Sequence, residues 1–279
     1  MNKPALVFIL GLGHSGTTIL DLALGAHPNI VGVGEGANVL KKPVDKKKNN
    51  PPVRLRTSER IEHPCTCGET AANCSVWGPT LDWLIENDNE LLENKYKYLI
   101  KQVKKEYSNA YFIVDSSMGA LQSAKSLHKE FNIYILFLVR DIRSWVHSMV
   151  TKKNEAVFRI LWRWYSKNKK IEAKIINSGI TFFTLGYEEL ALAPENILQS
   201  ICQWLGLEFH DEMLLPMKNT KSHIVEGNRI RKNLKHAAQI TYDGSWLANP
   251  NMSKLILLTL PFLKLNQRLV YSNNVLTRR

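Results

Sequence analysis

Long apolar runs are missing from this 279-residue sequence. No stretch approaches the roughly 18 apolar residues needed to span a bilayer. The longest, Ala5–Leu12 and Ile133–Val139, suit buried strands better. Cysteine is scarce: four residues do not make a disulfide scaffold. The N-terminus shows no basic segment followed by a long apolar stretch and a small-residue cleavage site, so a reducing, cytoplasmic setting is the expectation. No internal repeat is visible. Acidic residues are also short, 25 against 37 Lys plus Arg, for a formal charge of +12. That surplus suggests a polyanionic partner: nucleic acid, an anionic membrane or a phosphorylated cofactor. Aromatics are not interleaved on a basic strand face, so nucleic acid is not expected. With 44% apolar and 22% charged residues, disorder and collagen-like repeats are excluded.

What is present alternates between strand and helix. Ala5–Leu10 is a continuous apolar run, the pattern of a parallel strand covered on both faces. Gly11–Gly16 breaks it, and Thr17–Ala26 reads as a helix with Ile19, Leu20, Ala23 and Leu24 on one face. Val31–Gly36 reads as a second short strand or loop, and further strands are expected at Tyr111–Asp115, Ile133–Val139 and Ile180–Leu185. Helices are expected at Leu81–Tyr107, Gly119–Glu130, from Arg140 to about Val150, at Phe158–Ile176 and at Pro194–Leu205. The remainder reads as loop-rich. The order implies an α/β fold with a mainly parallel sheet flanked by helices. A single domain over residues 1–279 is expected, with a mobile basic, cysteine-containing excursion at about 41–80. Ligands in such sheets bind at the carboxyl ends of the strands, which would put the glycine loop, Asp115–Ser117 and Arg140 along one edge.

The loop Gly11-x-x-x-x-Gly16-Thr17-Thr18 follows a strand and opens a helix. Backbone amides and the helix dipole there favour an anion. A Walker loop would have lysine where Thr17 stands; without it, nucleotide binding is favoured over phosphoryl transfer. Arg140 and Ser148 lie eight residues apart across a helix start. They read either as a phosphate contact or as a surface ion pair and a solvated serine.

Together these elements resemble the sulfotransferase family that uses 3′-phosphoadenosine-5′-phosphosulfate (PAPS), whose members share a P-loop-like fold without ATPase chemistry. His14, Ser15, Gly16, Thr17 and Thr18 look like the family's 5′-phosphosulfate loop, with histidine in place of the usual Lys or Arg. Arg140 and Ser148 fall at its 3′-phosphate spacing. Tyr187-Glu188-Glu189-Leu190, with Pro194 and Cys202-x-x-Leu205-Gly206, is similar to the segment whose tyrosine contacts adenine. His223, Gly227, Asn228 and Arg231 resemble a late loop that closes over the cofactor. Cys65-x-Cys67-Gly68, Cys74 and Trp77 match a segment common in bacterial members. Glu35, 21 residues past His14, stands where tyrosylprotein sulfotransferases carry their catalytic base. The resemblance implies sulfonate transfer from PAPS to a hydroxyl acceptor (carbohydrate, lipid, tyrosine or small alcohol), leaving adenosine 3′,5′-bisphosphate (PAP) and needing no metal. Glu35 would take the acceptor proton, His14 would support the leaving oxygen, and Ser116 or Ser117 would donate to the sulfonate. One departure is Met118, where many bacterial members carry lysine; Lys125 or the 41–48 lysines would have to substitute.

Other readings compete. His63, Cys65, Cys67 and Cys74 are close enough in sequence for zinc, but Cys-x-Cys is not the usual knuckle spacing. Buried free thiols are favoured over zinc or a disulfide, so no metal site is expected. Lys46–Lys48 and Lys167–Lys170 read as solvated surface, or as a lure for an acidic acceptor. The alternatives to a sulfotransferase are a small-molecule kinase with Asp115 as its metal ligand, or a non-catalytic basic binding protein on the same fold.

Overall fold

In the computed structural model, which describes residues 4–41, 61–117, 120–150, 156–226, 239–248 and 252–276, strand β1 (Ala5–Leu10) is buried along its whole length. Its side chains alternate between two cores, as the two-residue period of a strand requires. Leu6, Phe8 and Leu10 enter one cluster, and Ala5, Val7 and Ile9 enter the other. After β1 come α1 (Thr17–Leu24), β2 (Ile30–Gly32), α2 (Gly36–Leu40), α3 (Trp77–Asn87), α4 (Leu92–Glu106), β3 (Phe112–Asp115) and α5 (Ala120–Leu127). The chain continues through β4 (Asn132–Val139), α6 (Ile142–Val150), α7 (Val157–Ile176), β5 (Phe182–Gly186), α8 (Tyr187–Leu192) and α9 (Pro194–Leu205). It closes with α10 (Pro216–Asn219), α11 (Met252–Thr259) and α12 (Leu263–Val270).

Among the described residues the five strands form one sheet in the order β2-β3-β1-β4-β5, and every pairing is parallel. The expected α/β architecture is therefore present. Helices α1 and α9 cover one face, with Leu20, Leu24, Ile197 and Ile201 in the core there. Helices α4, α6 and α7 cover the other through Tyr96, Leu99, Trp145 and Trp164. Because β3, β1 and β4 are neighbours, their carboxyl ends set Ser116, the glycine loop and Arg140 side by side.

One expectation needs correction. The helix read over Leu81–Tyr107 is two helices, interrupted at residues 88–91, where Lys95 reaches back to bond the Asp88 carbonyl at 2.7 Å and its carboxylate at 3.0 Å. Within the loop-rich C-terminal remainder, α12 docks Asn266 on the start of α6, with Oδ1 accepting from the Ile142 amide at 2.8 Å and Nδ2 donating to Asp141 at 2.9 Å. The stretch read as a second short strand or loop holds both: strand Ile30–Gly32, then a turn at Gly34 (φ 63°) into α2 at Gly36. Of the excursion expected at about 41–80, residues 42–60 lie outside the described residues, whereas Cys65, Ala71, Cys74, Val76 and Trp77 are core residues. Met118, Gly227, Asn228, Arg231 and the Lys46–Lys48 run also lie outside the described residues.

Candidate anion-binding site

The glycine loop leaves β1 and turns back into α1 through two left-handed residues, His14 (φ 69°) and Gly16 (φ 96°). Such a conformation is unfavourable for a residue with a Cβ. At Gly16 a Cβ would also stand 2.7 Å from the Tyr187 ring. The first intrahelical bond runs from the Leu20 amide to the Gly16 carbonyl at 3.2 Å, and no side chain caps the helix. The amides of Thr17, Thr18 and Ile19 precede that bond and have no acceptor within the helix, so the first turn presents donors to an anion. Trp145 fixes the loop from α6 by donating its indole N–H to the Gly13 carbonyl at 2.9 Å.

Arg140 sits just past β4 and is only 8% exposed. Its Nη1 donates to the His14 carbonyl at 3.1 Å, its Nε to Ser144 Oγ at 2.8 Å and its Nη2 to Asp243 at 2.8 Å. The guanidinium also lies over the Tyr187 ring, 4.8 Å from its centroid, a favourable cation–π arrangement. Its backbone is held from α7, where the Trp164 indole donates to the Arg140 carbonyl at 2.9 Å. The Tyr187 hydroxyl donates to the Thr241 carbonyl at 3.0 Å and accepts from the Asp243 amide at 3.2 Å. Loop, arginine and tyrosine thus form one packed group. Ser144, in the first turn of α6, holds Nε, and Ser148, the hydroxyl expected at a phosphate, is a further turn along and half-buried. Helical geometry explains this, since residues four apart share a face and reach one another. Asp243, Trp145 and Ser144 were missed by sequence reasoning. None belongs to a spacing pattern, and Asp243 is 103 residues from the arginine it meets.

On the other side of the loop, Glu35 precedes α2, and its Oε2 accepts from Asn38 Nδ2 at 2.7 Å. It sits at the end of β3, where the Ser116 amide donates to the Gly34 carbonyl at 2.7 Å. Ser116 turns its hydroxyl inward to Asp21 on α1, at 2.9 Å. Asp21 is fully buried, and desolvation raises its pKa to about 7 against the opposing bonds from Ser116 and Ser222. Asp115 is also buried and accepts from Tyr96 at 2.6 Å, the Ala37 amide at 2.7 Å and the Ser117 amide at 2.8 Å. Its oxygens are thereby enclosed, which argues against the metal-ligand role that a kinase would require. Lys125 is exposed in the last turn of α5. The lysines of 167–170 are exposed on α7, in keeping with solvated surface.

A parallel sheet with a lysine-free glycine loop and a buried arginine on its carboxyl edge defines an α/β protein with a P-loop-like glycine loop, a candidate anion site. The sequence matches the model of the Sulfotransferase family over residues 4–211, and the chain belongs to that family. It is 25% identical over 222 residues to protein-tyrosine sulfotransferase 2 of Gallus gallus, covering 76% of this chain and 54% of that protein. It is 24% identical over 218 residues to protein-tyrosine sulfotransferase 1 of Danio rerio, covering 75% of this chain and 55% of that protein. The chain spans about half the length of these curated relatives. Among solved structures, the sulfotransferase domain of the Synechococcus PCC 7002 olefin synthase aligns with TM-score 0.53 and 17% identity, covering 90% of this chain and 85% of that one. The sulfotransferase domain from the curacin biosynthetic pathway aligns with TM-score 0.52 and 16% identity, covering 92% of this chain and 98% of that one. Both share the fold.

Proposed function

We propose that the chain transfers the sulfonate of PAPS to a hydroxyl acceptor and releases PAP. The observation that supports this most is the Arg140 guanidinium, buried against the glycine loop and paired with Asp243, whose side chain is 48% exposed. A phosphate entering beside the loop can replace that carboxylate as the partner of the arginine, and a planar guanidinium suits a phosphate. A nucleotide with a phosphate on its 3′ oxygen supplies this second anion; ATP does not. His14, with the amides and hydroxyls of Ser15–Thr18, would hold the 5′ end, Arg140 and Ser148 the 3′-phosphate, and Tyr187 the base. Gly227, Asn228 and Arg231 would close over the cofactor.

The donor brings an activated sulfonate, so the protein's task is alignment and charge stabilisation. The acceptor oxygen bonds to sulfur, its proton passes to the Glu35 carboxylate, and the bond from sulfur to the 5′-phosphate oxygen breaks, leaving PAP. Ser116 is bonded to Asp21, so its part is to position the end of β3 beside Glu35 and not to touch the sulfonate. The acceptor is a hydroxyl compound; carbohydrate, lipid, tyrosine and small alcohol all match this chemistry, and the exposed lysines favour an acidic one. The test is PAP release from PAPS across a panel of such acceptors. Acceptor-dependent release that Glu35→Gln abolishes supports the reading. Bound PAPS with no release for any acceptor would favour the non-catalytic binding protein.

A further inference from the structure

We propose that Cys65, Cys67, Cys74 and His223 bind one zinc ion that staples the cysteine segment to the stretch at residues 222–224, which lies beside β2. Their ligand atoms, three Sγ and one imidazole nitrogen, all lie within 4.8 Å of one another. A tetrahedron with Zn–S near 2.3 Å and Zn–N near 2.0 Å has edges of about 3.8 Å between sulfurs and about 3.5 Å from sulfur to nitrogen. The separations are 3.7 Å between Cys65 and Cys74, 3.1 Å from Cys74 to His223 Nδ1 and 3.9 Å from Cys65 to the same nitrogen. A disulfide would need its sulfurs at about 2.0 Å, and all four cysteines of the chain are free thiols.

The surroundings match what a bound metal asks of its ligands. Cys65 and Cys67 stand on a tight turn in which the Gly68 amide bonds the Cys65 carbonyl at 3.1 Å, with Gly68 left-handed at φ 98°. The Trp77 amide donates to Cys74 Sγ at 3.4 Å, as suits a thiolate. With Nδ1 on the metal, Nε2 carries the imidazole proton, and the Tyr107 hydroxyl lies 2.9 Å from it to accept. The Trp77 indole donates to the His223 carbonyl at 2.6 Å. This set differs from the one considered from the sequence: His63, close in sequence, is replaced by His223, which lies 149 residues from Cys74.

Binding exchanges three thiol protons for Zn²⁺, leaving three thiolates and a neutral imidazole on the metal. The staple has a structural consequence beside the candidate base. The His223 amide donates to the Gly32 carbonyl at 2.7 Å, and the side chain of Ile224 packs on Gly34, where an added Cβ would meet it at 2.8 Å. The zinc site therefore fixes the backbone that carries Glu35.

The test is the metal content of the full-length protein, purified without chelator from zinc-supplemented culture and measured by plasma mass spectrometry. About one zinc per chain is expected, falling to near zero in Cys74→Ser and His223→Ala and unchanged in Cys202→Ala. Cobalt added to the reduced, metal-free protein should give the intense visible bands of a tetrahedral site together with thiolate charge-transfer absorption. Should the buried variants not fold, Cys67→Ser removes the exposed ligand and should weaken zinc retention against a competing chelator at least ~10-fold. Overturning results are a protein that purifies metal-free and gives no tetrahedral cobalt spectrum, zinc retained undiminished in Cys67→Ser, or a Cys65–Cys74 disulfide found by peptide mapping of the native protein.

Discussion

Replacing Gly16 by alanine probes the packing on which the site depends. The backbone there is left-handed, and the new methyl would stand 2.7 Å from one ring carbon of Tyr187 and 3.2 Å from the next. Two costs combine. The left-handed conformation costs an L-residue about 1–2 kcal/mol. The overlap forces Tyr187 aside, and overpacking of this kind costs about 1–3 kcal/mol. Gly206 separates the two, because it is also left-handed (φ 73°) but has nothing within 4 Å of an added Cβ. Gly206→Ala should therefore cost only the first amount. Urea denaturation followed by circular dichroism should show Gly16→Ala less stable than Gly206→Ala by about 1–3 kcal/mol. Removing the ring in a Gly16→Ala/Tyr187→Ala double variant should close much of that gap relative to Tyr187→Ala alone. Equal losses for the two glycine variants would refute the packing of Tyr187 on the loop.

Other consequences follow from the same geometry. Glu35→Gln should lower kcat by roughly 10²–10⁴-fold with PAP affinity kept; equal loss of both would remove Glu35 as the base. Asp243→Asn frees Arg140 from a competing carboxylate and should tighten PAP binding several-fold in titration, whereas unchanged affinity would place the phosphate elsewhere. Arg140→Lys should not rescue Arg140→Ala, because one ammonium does not reproduce bonds to His14, Ser144 and a phosphate at once. Asp21 makes stability fall with pH. Its carboxyl is protonated in the fold up to about pH 7 but ionises near 3.8 when unfolded, so the folded state holds the extra proton between those values and stability declines as pH rises through them. Asp21→Asn should flatten that decline, which amounts to at most about 4 kcal/mol; an unchanged profile would contradict the buried neutral acid.

The parts of the molecule that were legible in the sequence are those coded locally. The run Ala5–Leu10 declares a doubly buried strand, and the glycine loop after it declares a turn into a helix, so β1, α1 and the carboxyl edge could be read directly. Arg140 and Tyr187 were recoverable because each stands at a strand end, where topology alone brings them to the loop. What was not read was coded at long range or lay in the stretch read only as loop-rich. Helix α12 is amphipathic, with Leu265, Leu269 and Val270 on its buried face and Lys264, Gln267 and Arg268 on the opposite, exposed one, but no strand or glycine motif marks its place. Ser116 stood at the predicted edge, but the buried acid that claims its hydroxyl lies 95 residues earlier. The cysteine cluster looked incomplete because its histidine arrives from the far end of the chain.

The most direct measurement is calorimetric titration of the protein with PAP, beside ADP and beside ATP with magnesium. The account predicts that PAP binds at least ~10-fold tighter than either, since only PAP gives Arg140 a 3′-phosphate, and that Arg140→Ala erases the preference. Equal or tighter binding of ATP, or a preference for PAP that survives Arg140→Ala, would contradict it.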